Sequence, residues 1–430
     1  MFGVPIMREL NSKTLASILI GTILEWYDFS LLGSMAPIIA QLFFPSKVPT
    51  LSLLATFSVF ASGFIARPLG GVLFGHLGDR KGRKYALSLT IILMALPTTL
   101  MGLLPTYQNI GMLAPIILIV LRLVQGAASS GEYPGAICFL TEIAPANKRG
   151  LWGSISMFGV GGGILLGSVF SYILTTCLSN DALYSWGWRI PFIVGLPLGI
   201  IGFYLRYRVT ESKIFAEVHE KQVVHKMPFK QVLQFNFLNL NRIILLFSLG
   251  TTTFYMSFVY IISYFVSTHR LTLSNAFLFN ILSSVCMLFF IPIFGYLSDK
   301  WNRKIIMLIG AFCLCIFSYP IFKLFLSNDL HQLLLGQLLL AFLIAMFVGP
   351  VAATSAEIFS TATRYSGVAV ALNVGASIFG GTSPLIATYL VHISGKEIMP
   401  CIYPMLVAFL AFFAVLTLKN NQKHALNEII

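Results

Sequence analysis

Apolar stretches of about 20 residues or more, each long enough to cross a lipid bilayer as a helix, recur almost from end to end of this chain. Of its 430 residues, 57% are hydrophobic and only 10% are charged, whereas charge makes up roughly a quarter of a soluble domain. Short polar or Pro- and Gly-bearing segments separate the stretches. The sequence therefore predicts a membrane protein with little mass left for a soluble domain.

Twelve membrane-spanning helices are predicted from these stretches, which makes the chain an all-α membrane protein. The N-terminal segment carries Arg8 and Lys13 ahead of a span that is too long for a signal-peptide core, so we expect it to be retained as the first helix. An even number of spans places both termini on one side. The predicted helices cover residues 15–43, 51–77, 85–104, 112–142, 151–177, 187–208, 242–267, 274–297, 305–326, 332–357, 366–392 and 399–418.

The orientation in the membrane follows from the basic residues, because cytoplasmic loops carry an excess of Lys and Arg. Arg67 and Arg122 lie within predicted spans, and nearly all the other basic residues fall in the termini and loops of one side. The loops of the opposite side hold only Lys47, Arg189, Arg270, Lys323 and Lys396. This bias predicts cytoplasmic N- and C-termini.

Several function classes are disfavoured by composition. The net charge of +13 is spread over short loops rather than along one stripe, so we expect no binding to nucleic acid. The six cysteines lack CxxC spacing and neighbouring histidines, so neither a metal site nor a cofactor is predicted. The sequence contains no HExxH, Walker lysine or Gly-x-Ser-x-Gly motif, which argues against an enzyme. A channel would need rings of pore-lining residues or filter loops. This sequence instead offers a two-fold repeat whose deeply placed charges are confined to one half, which argues against a channel.

The chain divides into two similar halves. The loop at residues 75–84 (GHLGDRKGRK) has a counterpart at residues 295–304 (GYLSDKWNRK), 220 residues later. Glu142 precedes Arg149 by seven residues, and Glu357 precedes Arg364 by the same interval. These repeats predict two duplicated six-helix bundles, residues 1–208 and 242–430, joined by a polar cytoplasmic linker at residues 209–241.

Residues 75–84 match in full the signature loop G-x-L-x-D-R-x-G-R-K of the major facilitator superfamily (MFS), which this chain therefore resembles. Within that superfamily it resembles the metabolite:proton symporters, and among them the proline/betaine transporters. The counterpart loop departs from the signature at Asn302, where a glycine is usual. Further matching stretches are residues 25–29 (EWYDF), 67–71 (RPLGG), 122–126 (RLVQG), 130–133 (SGEY), 186–191 (WGWRIP) and 380–384 (GGTSP).

The resemblance implies an MFS fold of two pseudo-symmetric bundles and proton-coupled uptake of a small polar metabolite by alternating access.

Charge at mid-bilayer costs about 2.5–3.5 kcal/mol, so a span keeps a charged residue only where it is paired, hydrated or used. All the deeply placed charges fall in the first half, namely Glu25, Asp28, Arg67, Arg122 and Glu132. The proton-coupling site is therefore expected there.

By resemblance, the carboxylate of Asp28 in helix 1 pairs with Arg122 in helix 4, and release of Arg122 to a substrate carboxylate couples the two fluxes. Glu25 shares a helix face with Asp28, and Glu132 shares one with Gln125, which makes both acidic residues further candidates for proton coupling. The alternative is that these charges are permanent ion-paired struts.

Substrate contacts are predicted at Arg122, Arg67, Tyr27, Tyr133 and Asn373. The tyrosines, together with Trp26, could hold a quaternary ammonium by cation–π contact, although aromatic residues in membrane helices also serve simply for packing. Asn373 is a polar cavity candidate or an interhelical hydrogen-bond donor.

The signature loop is interpreted as a conformational latch that braces the cytoplasmic ends of the helices, with a pure topology signal as the alternative. By resemblance, Asp79 faces the positive end of a neighbouring helix, and residues of the second half act as weaker counterparts of those in the first. The predicted latch residues are Gly75, Asp79, Arg80, Gly82, Arg83, Glu142, Arg149, Asp299, Arg303, Glu357 and Arg364.

The substrate class stays open between two alternatives, of which the number of cationic anchors favours a zwitterion. A zwitterion such as proline or glycine betaine needs one cationic anchor, whereas a di- or tricarboxylate such as 2-oxoglutarate or citrate needs more, and Asp28 is expected to occupy Arg122. Shikimate, an organic acid with one carboxylate, belongs to the second alternative. We expect a monomer in the inner (cytoplasmic) membrane of a bacterium, whose partners are the lipid bilayer, a small solute and a proton.

Overall fold

The computed structural model describes residues 12–71, 73–74, 83–208, 237–268, 270–360 and 363–418. Within these ranges all regular structure is helical, as the hydropathy pattern predicts. Most of the predicted linker lies outside them. The helix after the linker begins at Phe237 rather than at residue 242, and the Asn241 side-chain amide bonds to the Phe237 carbonyl one turn back. The five residues 237–241 are therefore helical, although the predicted linker extends to residue 241.

The first half contains eight longer helices in its described part. They are α1 Ser12–Ser34, α2 Ala36–Phe43, α3 Pro49–Ile65, α4 Arg83–Leu103, α5 Leu113–Ala128, α6 Glu132–Ile143, α7 Arg149–Cys177 and α8 Arg189–Arg208.

The second half repeats this arrangement, with π-helical turns at Met256–Tyr260 and Ala376–Gly380. Asn302, the departure from the signature loop, caps α12 by accepting a hydrogen bond from the Lys304 N–H. The helices are α9 Phe237–Tyr255, α10 Ile261–Ser267, α11 Leu273–Lys300, α12 Arg303–Leu324, α13 Leu330–Val348, α14 Val351–Ile358, α15 Arg364–Gly375, α16 Ser383–Ser394 and α17 Ile402–Leu416.

Nine helical segments in the described part of the chain are long and apolar enough to cross a membrane, and a pair bent by 44°, Asn180–Gly187 with Arg189–Tyr204, would make a tenth. Twelve spans therefore stay a prediction. The nine are Pro49–Gly71, Leu113–Ile143, Arg149–Cys177, Phe237–Ser267, Leu273–Lys300, Arg303–Leu324, Leu330–Ile358, Arg364–Ser394 and Met399–Leu416.

Some stretches predicted as single helices are interrupted. The predicted helix 112–142 is broken between Ala128 and Glu132, at a Ser-Ser-Gly sequence, and the predicted helix 332–357 is broken at Gly349 and Pro350. Pro lacks the N–H that a helix interior needs, and Gly is flexible. Hydropathy does not report such breaks because the flanking residues remain apolar.

The exterior differs from that of a soluble protein, although most of the core is apolar. Large apolar side chains cover the outside, with Leu69 73% and Ile65 69% exposed, whereas the guanidinium groups of Arg67 and Arg122 are buried. An apolar exterior is the surface that hydrocarbon chains solvate, and the polar groups meet one another inside.

The helices of the two halves pack closely through α7 and α11. At Gly150 and Gly295 the backbones meet directly, because a Cβ added to Gly150 would lie 2.5 Å from the Gly295 carbonyl oxygen. The middle of α7 packs on α1 in the same way, with Gly163 against the backbone of Ile23 and Tyr27. Small residues at these crossings permit the approach of helix backbones.

Candidate functional site

Two buried arginines lie over one phenyl ring at the centre of the molecule. The Cζ atom of Arg122, from α5, is 3.8 Å from the ring centroid of Phe29, and that of Arg67, just past the end of α3, is 4.4 Å from it. Among the described residues, the Nε and Nη2 atoms of both arginines have no hydrogen-bond partner. Aromatic faces partly compensate buried positive charge, but the N–H groups remain available to an anion.

Gln125 connects Arg122 to the Asp28 region. Its side-chain oxygen accepts a hydrogen bond from Arg122 Nη1, and its amide nitrogen donates to the Asp28 backbone carbonyl at 3.1 Å and to the Thr98 hydroxyl at 2.8 Å. Arg122 Nη1 also donates to the Phe29 carbonyl at 3.0 Å. From the sequence, Gln125 was only known to share a helix face with Glu132. In the structure it links Arg122 to Asp28, the two residues predicted to pair.

The Asp28 carboxyl points away from Arg122, toward α4 and α8. A Cβ added to Gly195 would lie 2.9 Å from Asp28 Oδ1 and 3.1 Å from Thr98 Cγ2. No ion pair within 4.0 Å joins Asp28 to Arg122 in the described part of the chain, and Oδ1 has no hydrogen-bond partner there. The direct pairing that the resemblance implied is therefore replaced in this conformation by a connection through Gln125.

The other two acidic candidates are also buried. Glu25 lies one turn before Asp28 in α1, near enough to Tyr255 for the two groups to interact electrostatically. Glu132 is the first residue of α6, where the helix dipole stabilises a negative charge. The helix dipole therefore gives Glu132 a local structural reason for being tolerated in the membrane interior.

An aromatic cluster from both halves surrounds the arginines. Trp26 lies nearly parallel to Tyr255 of α9, with ring centroids 6.1 Å apart, and edge-on to Phe254 at 5.8 Å and to Tyr133 at 6.0 Å. Phe29, Phe60 and Phe64 extend the cluster on the side of Arg67 and Arg122. Charge patterns could not find Phe254 and Tyr255. The π-helical turn that begins at the next residue is of a kind often found at functional sites, but it is visible only in the structure.

The remaining predicted substrate residues separate into different places. Tyr27 points away from the cluster, and its hydroxyl donates to the Pro191 carbonyl at 2.7 Å, a packing contact between α1 and α8. Tyr133 faces the cluster and donates to the Met157 sulfur. Asn373 joins the halves by donating to the Ser130 carbonyl at 2.8 Å, the interhelical hydrogen bond that was its alternative role.

The predicted latch residues of the second half form a network across the two halves. Arg149 in the first half pairs with Glu357 in the second at 3.3 Å, and Arg303 also bonds to Glu357. In a third pair the cation comes from the second half, since Arg364 binds Glu142 of the first half at 2.7 Å. We call this end of the molecule the latch end.

Asp299 accounts for the helix-dipole contact that the sequence assigned to Asp79. Its carboxylate accepts hydrogen bonds from the N–H groups of Gly150 at 2.7 Å and Leu151 at 2.9 Å, in the first turn of α7, and it pairs with Arg303 at 3.0 Å. Asp299 and Glu357 were described from the sequence as weaker counterparts. Both bind residues of the first half directly, across the contact surface between the two halves, which we call the seam. Gly75, Asp79, Arg80 and Gly82 lie outside the described residues, as does the side chain of Arg83.

We expect Gly295→Ala to weaken closure of the latch end. The new methyl group would lie 2.7 Å from the Gly150 carbonyl oxygen and 2.5 Å from the Ser154 hydroxyl, so α7 and α11 must separate. Overpacking typically costs about 1–3 kcal/mol, which corresponds to a roughly 5- to 100-fold loss of the closed population. The initial rate of substrate uptake measures the effect.

Gly250→Ala is the matched control, since its methyl group would meet only Val348, at an ordinary 3.4 Å. Equal uptake rates for the two variants would contradict the steric role of Gly295.

The halves also meet at the far end, opposite the latch end. A Cβ on Gly33 in α1 would lie 2.5 Å from Val259, and the ring of Phe57 is 6.2 Å from that of Tyr260. Because both ends of the seam are in contact, the cluster of Arg67, Arg122 and aromatic rings is enclosed.

Two family models match the sequence. The "Sugar (and other) transporter" model matches residues 14–231, and the "Major Facilitator Superfamily" model matches residues 278–428. In the described ranges, no group of three His, Cys, Asp or Glu side chains could hold a metal ion.

Curated relatives match over nearly the full chain. The proline/betaine transporter of Escherichia coli (strain K12) is 34% identical over 423 residues, which is 96% of this chain and 84% of the relative. The glycine betaine/proline/ectoine/pipecolic acid transporter OusA of Dickeya dadantii (strain 3937) gives the same identity and coverage.

Solved structures confirm the fold. A D-xylose–proton symporter superposes with a TM-score of 0.75 at 21% identity, covering 96% of this chain and 98% of that one. A bacterial homologue of the human lysosomal transporter Spinster, inward-facing and occupied, gives 0.67 at 17% identity, covering 97% and 98%. This multi-pass membrane chain therefore belongs to the major facilitator superfamily, within which it resembles the proline/betaine transporters of the metabolite:proton symporter family.

Proposed function

We propose that this protein is a secondary active transporter that takes up a zwitterionic osmolyte, such as proline or glycine betaine, together with protons by alternating access. It works as a monomer of twelve spans in a bacterial inner membrane, with both termini in the cytoplasm. The names of the relatives support the substrate class. The observation that carries the proposal is the enclosed cluster of buried charges between two closed ends of the seam.

Asp28 is the proposed proton carrier and acts through Gln125. Protonation would remove a negative charge beside Thr98 and Gly195, where no cation among the described residues pairs with it. The hydrogen bonds of Gln125 to Thr98 and to the Asp28 carbonyl would shift, and with them the Arg122 guanidinium. Arg122 would bind the substrate carboxylate in one protonation state of Asp28 and release it in the other.

Alternating access requires the latch end and the far end to open in turn. The closed latch end is held by buried charges, and the far end by apolar contacts. Substrate entering from the far end would therefore meet the central cluster while the latch end is still shut.

The test is uptake of radiolabelled proline and glycine betaine into proteoliposomes that contain the purified protein. An inward proton gradient should drive accumulation, and a protonophore should abolish it. Saturation and counterflow exchange without a gradient separate a carrier from a channel. Accumulation that ignores the pH gradient would overturn proton coupling.

Organic acid transport is the second candidate, and one observation favours it. Arg122 is not directly paired with Asp28, so both buried guanidinium groups offer N–H donors to an anion. A dicarboxylate such as 2-oxoglutarate could use both. A thermal-shift comparison of proline and glycine betaine with 2-oxoglutarate, shikimate and citrate decides between the classes.

A further inference from the structure

The seam at the central cluster combines two kinds of recognition surface. Trp26 and Tyr133 of the first half meet Phe254 and Tyr255 of the second, with ring centroids about 6 Å from that of Trp26. The Arg67 guanidinium lies beside the same tryptophan, 5.7 Å from its ring centroid. A region that attracts cations through aromatic faces therefore adjoins a donor of N–H groups to anions.

Three buried polar groups at this point lack hydrogen-bond partners within the described residues. They are Nε and Nη2 of Arg67 and the hydroxyl of Tyr255. Leaving such groups unsatisfied in the interior is costly, so a ligand that accepts hydrogen bonds from them would be favoured. A carboxylate matches the planar fork of the guanidinium and could also accept from a tyrosine hydroxyl.

The aromatic side of the site suits a cation that cannot donate hydrogen bonds. A quaternary ammonium is attracted by the negative faces of Trp and Tyr rings and gains nothing from carbonyl acceptors. Trp26 and Tyr255 lie with an interplanar angle of 21°, so a small separation of the halves would turn their contact into two facing walls.

We propose that this site binds an N-methylated amino acid zwitterion, with its quaternary ammonium between Trp26 and Tyr255 and its carboxylate on Arg67. The proposal rests on the transport function proposed above. In this structure the two rings pack against each other, so the halves must part to admit the ligand. Because one ring belongs to each half, a ligand bound between them contacts both halves and replaces the ring contacts that were lost. Binding of the ligand therefore favours closing of the two halves around it.

The sharpest test compares three ligands of similar shape on the purified full-length protein, by isothermal titration calorimetry. Glycine betaine carries both groups, 3,3-dimethylbutanoate replaces its nitrogen by carbon and so lacks the positive charge, and choline lacks the carboxylate. We expect glycine betaine to bind at least about tenfold more tightly than either analogue. Equal binding of 3,3-dimethylbutanoate would overturn the aromatic cage, and equal binding of choline would overturn the carboxylate contact.

Two variants then test which residue contacts the ammonium group of the ligand and which contacts its carboxylate. Tyr255→Leu should narrow the difference between glycine betaine and 3,3-dimethylbutanoate, and Arg67→Gln should narrow that between glycine betaine and choline. Tyr264→Phe is the control, because that buried tyrosine bonds to the Glu397 carbonyl within the second half. The thermal midpoint without ligand checks folding. If a variant misfolds, the wild-type ligand series still decides.

Failure of this inference differs from failure of the proposed function. If the analogues bind as well as glycine betaine while proton-driven uptake of proline persists, only the cage is wrong. If the protein binds 2-oxoglutarate and none of the zwitterions, both are wrong.

Discussion

The Asp28→Asn variant is expected to lose all accumulation of substrate driven by a pH gradient, down to the level of protein-free liposomes, while substrate exchange persists in part. Asparagine keeps the size of the side chain but cannot take up or release a proton. Exchange needs only that the loaded carrier change its conformation, so it does not require proton release. Uptake with an imposed gradient and counterflow without one, in the same proteoliposomes, measure the two activities.

Asp181→Asn is the matched control for Asp28→Asn. Asp181 is exposed in the connection between α7 and α8, where a change from Asp to Asn should leave both activities at the wild-type level. If gradient-driven accumulation persists in Asp28→Asn, the assignment of Asp28 as proton carrier is wrong. Glu25 and Glu132, buried nearby, would then be the next candidates.

The residues of the proposed proton site could be found from the sequence because a charge inside an apolar stretch is conspicuous. Their partners could not. Whether Asp28 meets Arg122 depends on the rotation of α1 relative to α5, which hydropathy does not determine, and the structure turns the carboxyl toward Gly195 instead. Gln125 was noticed only for its spacing from Glu132, since an uncharged amide in a span has many possible partners.

The aromatic part of the site was half predictable. Trp26 and Tyr133 lie in motifs that resemble those of the family, whereas Phe254 and Tyr255 are two of the many aromatic residues of this chain. Nothing local distinguishes them. They become notable only because α9 faces α1 across the seam, and that is a consequence of how the two halves associate.

The fold was largely predictable for a simple reason. A bilayer admits only helices or closed barrels, and helix-length apolar runs leave only the former. The breaks near Gly131 and Gly349 do not show in the hydropathy pattern because the residues on either side of them remain apolar. The duplicated loop indicated where a latch should lie but could not assign its pairs, since each basic residue has a symmetric counterpart.

Glu357→Gln is expected to shift the protein strongly away from the state in which the latch end is closed. The Glu357 carboxylate, only 3% exposed, bonds to both Arg149 and Arg303. Without its charge, the buried pair with Arg149 is broken, and breaking a buried ion pair costs about 3–5 kcal/mol. Arg303 lies in the same half as Glu357 and keeps its pair with Asp299. The seam-crossing pair with Arg149 exists only when the latch end is closed, so its loss destabilises the closed state. The closed population should drop by roughly 100- to 4,000-fold relative to the open one.

The measurement is the distance between spin labels on the two halves, attached through Lys148→Cys and Trp301→Cys, both exposed at the latch end, in a background without the six native cysteines. Glu397→Gln is the control, because its pair with Arg270 lies within the second half and its side chain is 40% exposed. Such a pair contributes about 0–1 kcal/mol and does not cross the seam. The label distance should lengthen in Glu357→Gln and stay unchanged in Glu397→Gln. If both variants keep the short wild-type distance, the ion-pair network does not hold the latch end closed, and the backbone contact of Gly150 with Gly295 would have to suffice.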